Sequence, residues 1–121
     1  VIHIKRLREG NGTPFSIQSV YLLPGLCPNI LEEDLSHLFR LYKEKYDRVI
    51  MSANESLRNR SASAKEARLL NLEEGELVTI RDRVSFDQNG DAFEVLYSVD
   101  HPEGFTYSYW ILNDKTVVPE S

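Results

Sequence analysis

Residues 1–23 read VIHIKRLREGNGTPFSIQSVYLL. Val1 to Glu9 and Phe15 to Leu23 are β-rich, and Gly10, Asn11, Gly12, Thr13 and Pro14 separate them. An Asn-Gly pair readily takes the positive φ of a tight turn whose twist suits two antiparallel strands. The stretch therefore predicts a β-hairpin. Near the other end of the chain, Leu77 to Phe86 and Ala92 to Val99 flank Asp87, Gln88, Asn89, Gly90 and Asp91, which predicts a second one. Arg6 and Leu7 precede Asn11-Gly12 and Phe15 much as Arg83 and Val84 precede Asn89-Gly90 and Phe93. This reads as a degenerate internal repeat, although any two hairpins closed by Asn-Gly share the pattern.

Between the hairpins, Leu31, Leu35, Leu38, Phe39, Tyr42 and Tyr46 form one apolar stripe at helical spacing. Glu32, Glu33 and Asp34 suit the positive end of a helix dipole, and Lys43 and Lys45 the negative end, so a helix is expected from about Leu31 to Lys45. Val49 to Leu57 alternates with period two, the mark of a strand with one buried face. Ser63-Ala64-Lys65-Glu66 is a capping box opening a short helix to about Leu70, with Gly75 as the stop signal. Phe105 to Leu112 supplies a last aromatic-rich strand. Strands before and after helices indicate an α+β domain: an antiparallel sheet with two or three helices.

The 121 residues suit one domain, and a hydrophobic share of 41% with 27% charged residues is enough for a core. Lys and Arg number 14 against 19 Asp and Glu, a formal charge of -5, the opposite balance to a duplex-binding surface. Cys27 is the only cysteine, which excludes an intrachain disulfide and a four-cysteine metal site and points to a reducing, cytoplasmic setting. No apolar run approaches a membrane span. Val1 opens directly in a strand, so the chain is expected to be a piece of a longer product.

No Gly-rich phosphate loop, nucleophile elbow or paired-histidine spacing occurs, and His3, His37 and His101 lie far apart. No cofactor or metal is expected. Arg6 and Arg8, two apart on a strand, share one sheet face, where two guanidinium forks could grip an anion or simply face solvent. Ile2 and Ile4 have the same parity, so that face starts apolar and ends basic, as the rim of a pocket would. Gln18 and Glu94 on the inner hairpin strands could add polar contacts.

Taken in order, Arg6-Leu7-Arg8, Gly12-Thr13-Pro14, Tyr21-Leu22-Leu23-Pro24, Cys27-Pro28, Glu33-Asp34-Leu35 and Leu38-Phe39 resemble the UTRA domain, the effector-binding half of HutC-type GntR transcription regulators. The second half agrees through Glu55, Ala67, Leu69-Leu70, Glu74-Gly75, Arg83, Asp87 to Gly90 and Phe93-Glu94. The resemblance implies one domain over 1–121 with a chorismate lyase-like UTRA fold, lacking the opening segment and any winged helix-turn-helix. It also implies that Arg6 and Arg8 hold the acidic group of a small effector. Gln18 stands where the family usually has glutamate, which implies a different effector choice. His37-Leu38-Phe39 stands where the family has Ser-Leu-Tyr, with Arg40-Leu41-Tyr42 as the alternative register; Arg48 matches a further basic position, and Glu94 a carboxylate used on the ligand. The family's closing tract, rich in Tyr, Arg and Asp, begins here at Asp100 and continues as His101-Pro102-Glu103-Gly104-Phe105-Thr106-Tyr107, without its arginines.

The expected function is therefore small-molecule sensing and dimerisation, without catalysis, in a cytoplasmic transcription regulator. The expected partners are an effector with an acidic group, a second copy of the chain, and DNA only through a separate domain; no membrane is involved. A dimerisation domain without ligand and a small lyase-like enzyme are the alternatives.

Overall fold

Asn11 and Gly12 both adopt positive φ, 54° and 78°, and close a two-residue turn between strands β1 (Ile2–Gly10) and β2 (Thr13–Leu22). The computed structural model describes residues 1–104, so the strand expected over Phe105 to Leu112 lies outside the described residues. The second hairpin joins β4 (Leu77–Phe86) to β5 (Ala92–Asp100). Its turn differs: the Asp87 carboxylate accepts from the N–H groups of Asn89 and Asp91 at 2.9 and 3.1 Å, and only Gly90 takes positive φ. Among the described residues, strand β3 (Ser52–Ser61) joins a five-stranded antiparallel sheet in the order β1-β2-β5-β4-β3. With β2 and β5 paired at the centre, the two hairpins lie edge to edge.

Helix α1 (Leu38–Tyr46) and helix α2 (Ala64–Leu70) cover opposite faces. Beneath α1, Leu38 and Tyr42 pack with Ile4, Val20, Leu22, Phe93 and Leu96. On the other face, Ala67 and Leu70 of α2 pack on Ile17, Val78, Ile80 and Val99. Each such buried aliphatic or aromatic side chain contributes roughly 1.5–3 kcal/mol, so the two clusters, more than local propensity, hold these short helices in place.

Three expectations are corrected. The helix expected from Leu31 splits: Ile30–Glu32 is a single 3-10 turn, Glu33 is extended, and α1 starts only at Leu38. The cause is Asp34, whose carboxylate accepts from the Ser36 N–H at 3.0 Å and from its hydroxyl, a local turn that competes with helix. Leu31 is consequently 61% exposed, while Leu35 reaches the core from a loop. Second, β3 runs over Ser52–Ser61 rather than from Val49, and only Arg60 is even half-buried. At the sheet edge among the described residues, β3 meets α2 only through Arg60 and otherwise has no helix to cover either face. Third, α2 stops at Asn71, in the left-handed region at φ 57° with its N–H on the Ala67 carbonyl; Gly75 serves the following turn. At the start of α2 the capping box forms, with Ser63 and Glu66 each accepting from the other's backbone N–H.

Candidate functional site

Side chains alternate across a sheet, so the register Arg6–Gln18–Ser98–Arg81 puts these four residues in one row on the α1 face. One row further, Ile4, Val20, Leu96 and Arg83 line up, and Glu55 of β3 stands opposite Arg83. Helix α1 covers the apolar part of this face. The polar part forms the floor of a cleft of about 500 Å³, walled by Ser36, His37 and the first turn of α1 and flanked by Phe15.

Among the described residues, five arginines line this cleft, namely Arg6, Arg8, Arg40, Arg81 and Arg83, against one lining carboxylate, Glu94. Their settings differ. Arg6 spans the cleft wall: Nη1 donates to the Leu35 carbonyl at 2.9 Å and Nη2 to Gln18 Oε1 at 2.8 Å. Both acceptors are neutral, so the charge is not cancelled, and burial, followed by the nearby Arg8 charge, lowers its pKa. Among the described residues, no hydrogen bond or ion pair holds the Arg8 or Arg40 side chain.

Arg81, by contrast, sits on buried Asp100 (Nε to Oδ2, 3.2 Å), whose other oxygen accepts from Ser16 and Ser98. Glu55 Oε1 lies 3.8 Å from Arg81 Nη1 and 3.7 Å from Arg83 Nη1. The Arg83 guanidinium also lies 5.7 Å from the centre of the Phe39 ring.

Helix α1 presents its N-terminal turn to the cleft, and His37 at the cap position makes no side-chain capping bond. The positive end of the helix dipole thus adds to the arginine field. At the junction with the core, Glu94 accepts a hydrogen bond from the Tyr42 hydroxyl. Burial raises the Glu94 pKa, opposed by that bond and by the Arg83 and Arg6 charges; burial likewise raises that of Tyr42, with Glu94 adding to it.

Of the residues singled out from sequence, the cleft brings together Arg6, Arg8, Gln18, His37, Phe39 and Glu94. Asp100 lies at the floor's edge as the counter-ion of Arg81. Arg48 is elsewhere: it follows the far end of α1 and pairs with Asp87 at 3.3 Å. Sequence reasoning missed Arg40, Arg81 and Arg83 as cleft residues. The signal for Arg81 was available, because Arg81 and Arg83 repeat on β4 the two-residue spacing of Arg6 and Arg8 on β1. His3 stacks on Tyr21 outside the cleft, at 4.6 Å between ring centres. Among the described residues, no three His, Cys, Asp or Glu side chains converge as a metal site, and no helix is long and apolar enough to cross a membrane. Cys27 is buried, with its thiol pKa pushed up to about 11, so it is a core residue rather than a nucleophile.

A family model described as the UTRA domain matches residues 1–105. The HTH-type transcriptional repressor NagR of Bacillus subtilis (strain 168) is 28% identical over 109 residues, covering 89% of this chain and 45% of the relative, so the chain spans less than half of that protein's length. Among solved structures, the ligand-binding domain of a protein described as a GntR-family transcriptional regulator from Bordetella bronchiseptica aligns with a TM-score of 0.78 at 25% identity, over 91% of this chain and 72% of that one. PhnF from Mycobacterium smegmatis aligns with a TM-score of 0.86 at 18% identity, over 93% of this chain and 50% of that one, a likeness of fold.

Proposed function

Because the chain belongs to the UTRA domain family of GntR-type transcription regulators, we propose that its arginine-lined cleft binds a small anionic effector and that occupancy controls DNA binding by a separate part of the same regulator. The observation that carries this reading is the concentration of positive charge. In a chain of net charge -5, five of nine arginines face one 500 Å³ space. Such a field attracts and orients an acidic group, and the cleft has the volume of a small-molecule site.

In this reading Arg8, Arg40 and the open turn of α1 take the acidic group, Arg6 and Gln18 shape the wall behind it, and Glu94 and Phe39 meet the rest of the ligand. The chain acts as a cytoplasmic homodimer of the HutC type, and effector binding shifts the balance between two arrangements of the dimer. Among the described residues, no side chain in the cleft is arranged as an activated nucleophile, and binding rather than turnover is the activity this reading assigns. The test is calorimetric titration with small carboxylic acids and sugar phosphates, followed by a turnover assay on each binder. Saturable binding without turnover, lost in Arg8→Ala, is the expected result. Absence of binding across both classes favours a ligand-free dimerisation domain, and turnover favours an enzyme.

A further inference from the structure

Among the described residues, strand β3 lies at the sheet edge, and Glu55 is its acidic contact with the cleft arginines: one oxygen lies 3.7 Å from Arg83 Nη1 and 3.8 Å from Arg81 Nη1. Those separations are outside hydrogen-bonding range, so the contact is a shared ion pair and not a pair of charge-assisted bonds. Both arginines also line the cleft. An anion that enters it therefore competes with Glu55 for the same two guanidinium groups.

Resting on the effector reading above, we infer that Glu55 is an internal counter-ion that a bound anion replaces, so that filling the cleft loosens the edge strand β3. The neighbouring contacts make β3 the element that responds. Arg81 keeps a second, buried acid in Asp100, and therefore stays in place when Glu55 leaves. Arg83 stands opposite Glu55 in the β3–β4 register, while its other carboxylate neighbour, Glu94, is engaged by Tyr42. Beyond the backbone ladder with β4, the side-chain ties of β3 lie in its far half: Arg58 pairs with Asp82 on the opposite sheet face, and Arg60 grips Glu66 of α2 at 2.7 and 2.8 Å. Loss of the Glu55 pair thus leaves the half of β3 from Ser52 to Leu57 held to β4 by its backbone ladder without that ion pair, while the far half stays anchored by Arg58 and Arg60. An edge strand carries unpaired backbone groups through which a sheet meets a neighbouring chain. The cleft is in this way linked to a surface outside it.

Inorganic phosphate is the probe. In the wild-type chain, phosphate should shift the amide resonances of Arg8 and His37 and raise hydrogen exchange of residues 53–57 by about fivefold or more, the lower end of ordinary allosteric coupling. Glu55→Gln should show that faster exchange without phosphate and gain no more on its addition. By linkage it should also bind phosphate more tightly by the same factor. Asp82→Asn, on the other face, should leave phosphate affinity unchanged. Should Glu55→Gln fold poorly, Glu55→Asp, whose shorter side chain lengthens the ion pair, should shift both readouts in the same direction. Phosphate binding with unchanged exchange in β3, or unaltered affinity in the Glu55 variants, overturns the inference and leaves the effector reading intact. Absence of phosphate binding in wild type and Glu55→Gln alike overturns both.

Discussion

The Tyr42 hydroxyl donates to the Glu94 carboxylate, joining the middle of α1 to the first half of β5. Both residues are almost wholly buried. The Tyr42 ring meets Phe93 edge-on at 4.8 Å, so one side chain supplies both the apolar and the polar part of the α1 contact.

Tyr42→Phe keeps the ring and removes the donor. It should cost about 1–3 kcal/mol, since a buried carboxylate loses a hydrogen-bond partner. Urea unfolding would measure this. Glu94→Gln, which keeps the shape and removes the charge, should cost less.

The same pair sets a pH dependence. Because burial raises the Glu94 pKa above its ordinary 4.5, the folded state holds that proton more tightly than the unfolded chain. Its contribution is complete below pH 4.5 and is lost as pH rises through the raised value. Glu94→Gln should flatten the decline in stability above pH 4.5, read from unfolding midpoints between mildly acidic and neutral pH. A decline that persists unchanged would place its origin in another group.

Arg6 and Arg8 should separate cleanly under mutation. Arg6 bridges Leu35 and Gln18, so Arg6→Ala should lower stability by about 1–3 kcal/mol, leaving a half-buried carbonyl and the buried Gln18 amide without their donor. Arg8 has no such ties, and Arg8→Ala should stay within about 0.5 kcal/mol of wild type. In binding, Arg8→Ala should weaken an anionic ligand about ten- to a hundredfold. Arg8→Lys should recover only part of that loss, because a point charge lacks the planar fork. Thermal melts and calorimetry on the same variants give both readings.

The two hairpins were legible because Asn-Gly and Asp-x-x-Gly turns specify themselves within five residues, and the capping box at Ser63 was legible for the same reason. The start of α1 was not. An apolar stripe is satisfied equally by a continuous helix and by a loop that delivers Leu35 to the core, and the Asp34–Ser36 turn decides between them. The burial of β3 was illegible for a different reason: alternation describes a strand, whereas its place at the sheet edge follows from which strands pair across the whole chain. Within the cleft, strand parity already grouped Arg6 with Arg8. Setting Arg81 and Arg83 opposite them required the β2–β5 pairing, which no local pattern encodes.

The last prediction concerns α2, a seven-residue helix too short to persist alone. Two side chains at its start secure it. Ser63 accepts from the Glu66 N–H, and Glu66 accepts both from the Ser63 N–H and from Arg60 of β3. The Arg60 hydrogen bonds are the largest influence on Glu66 and hold its carboxyl at about 2, below the ordinary 4.5. A depressed carboxylate stabilises the folded state above its unfolded pKa, and that contribution is lost as pH falls through the folded value. The window therefore runs from 4.5 down to about 2, opposite in sign to that of Glu94. Ser63→Ala should cost about 1 kcal/mol at neutral pH, the usual worth of an N-cap. Glu66→Gln, which keeps the cap acceptor and removes the charge, should leave the cap intact and abolish the acid-side loss. If Glu66→Gln unfolds along the same acid profile as wild type, the Arg60 pair contributes nothing to acid stability, and α2 is held by Ala67 and Leu70 packing on the sheet.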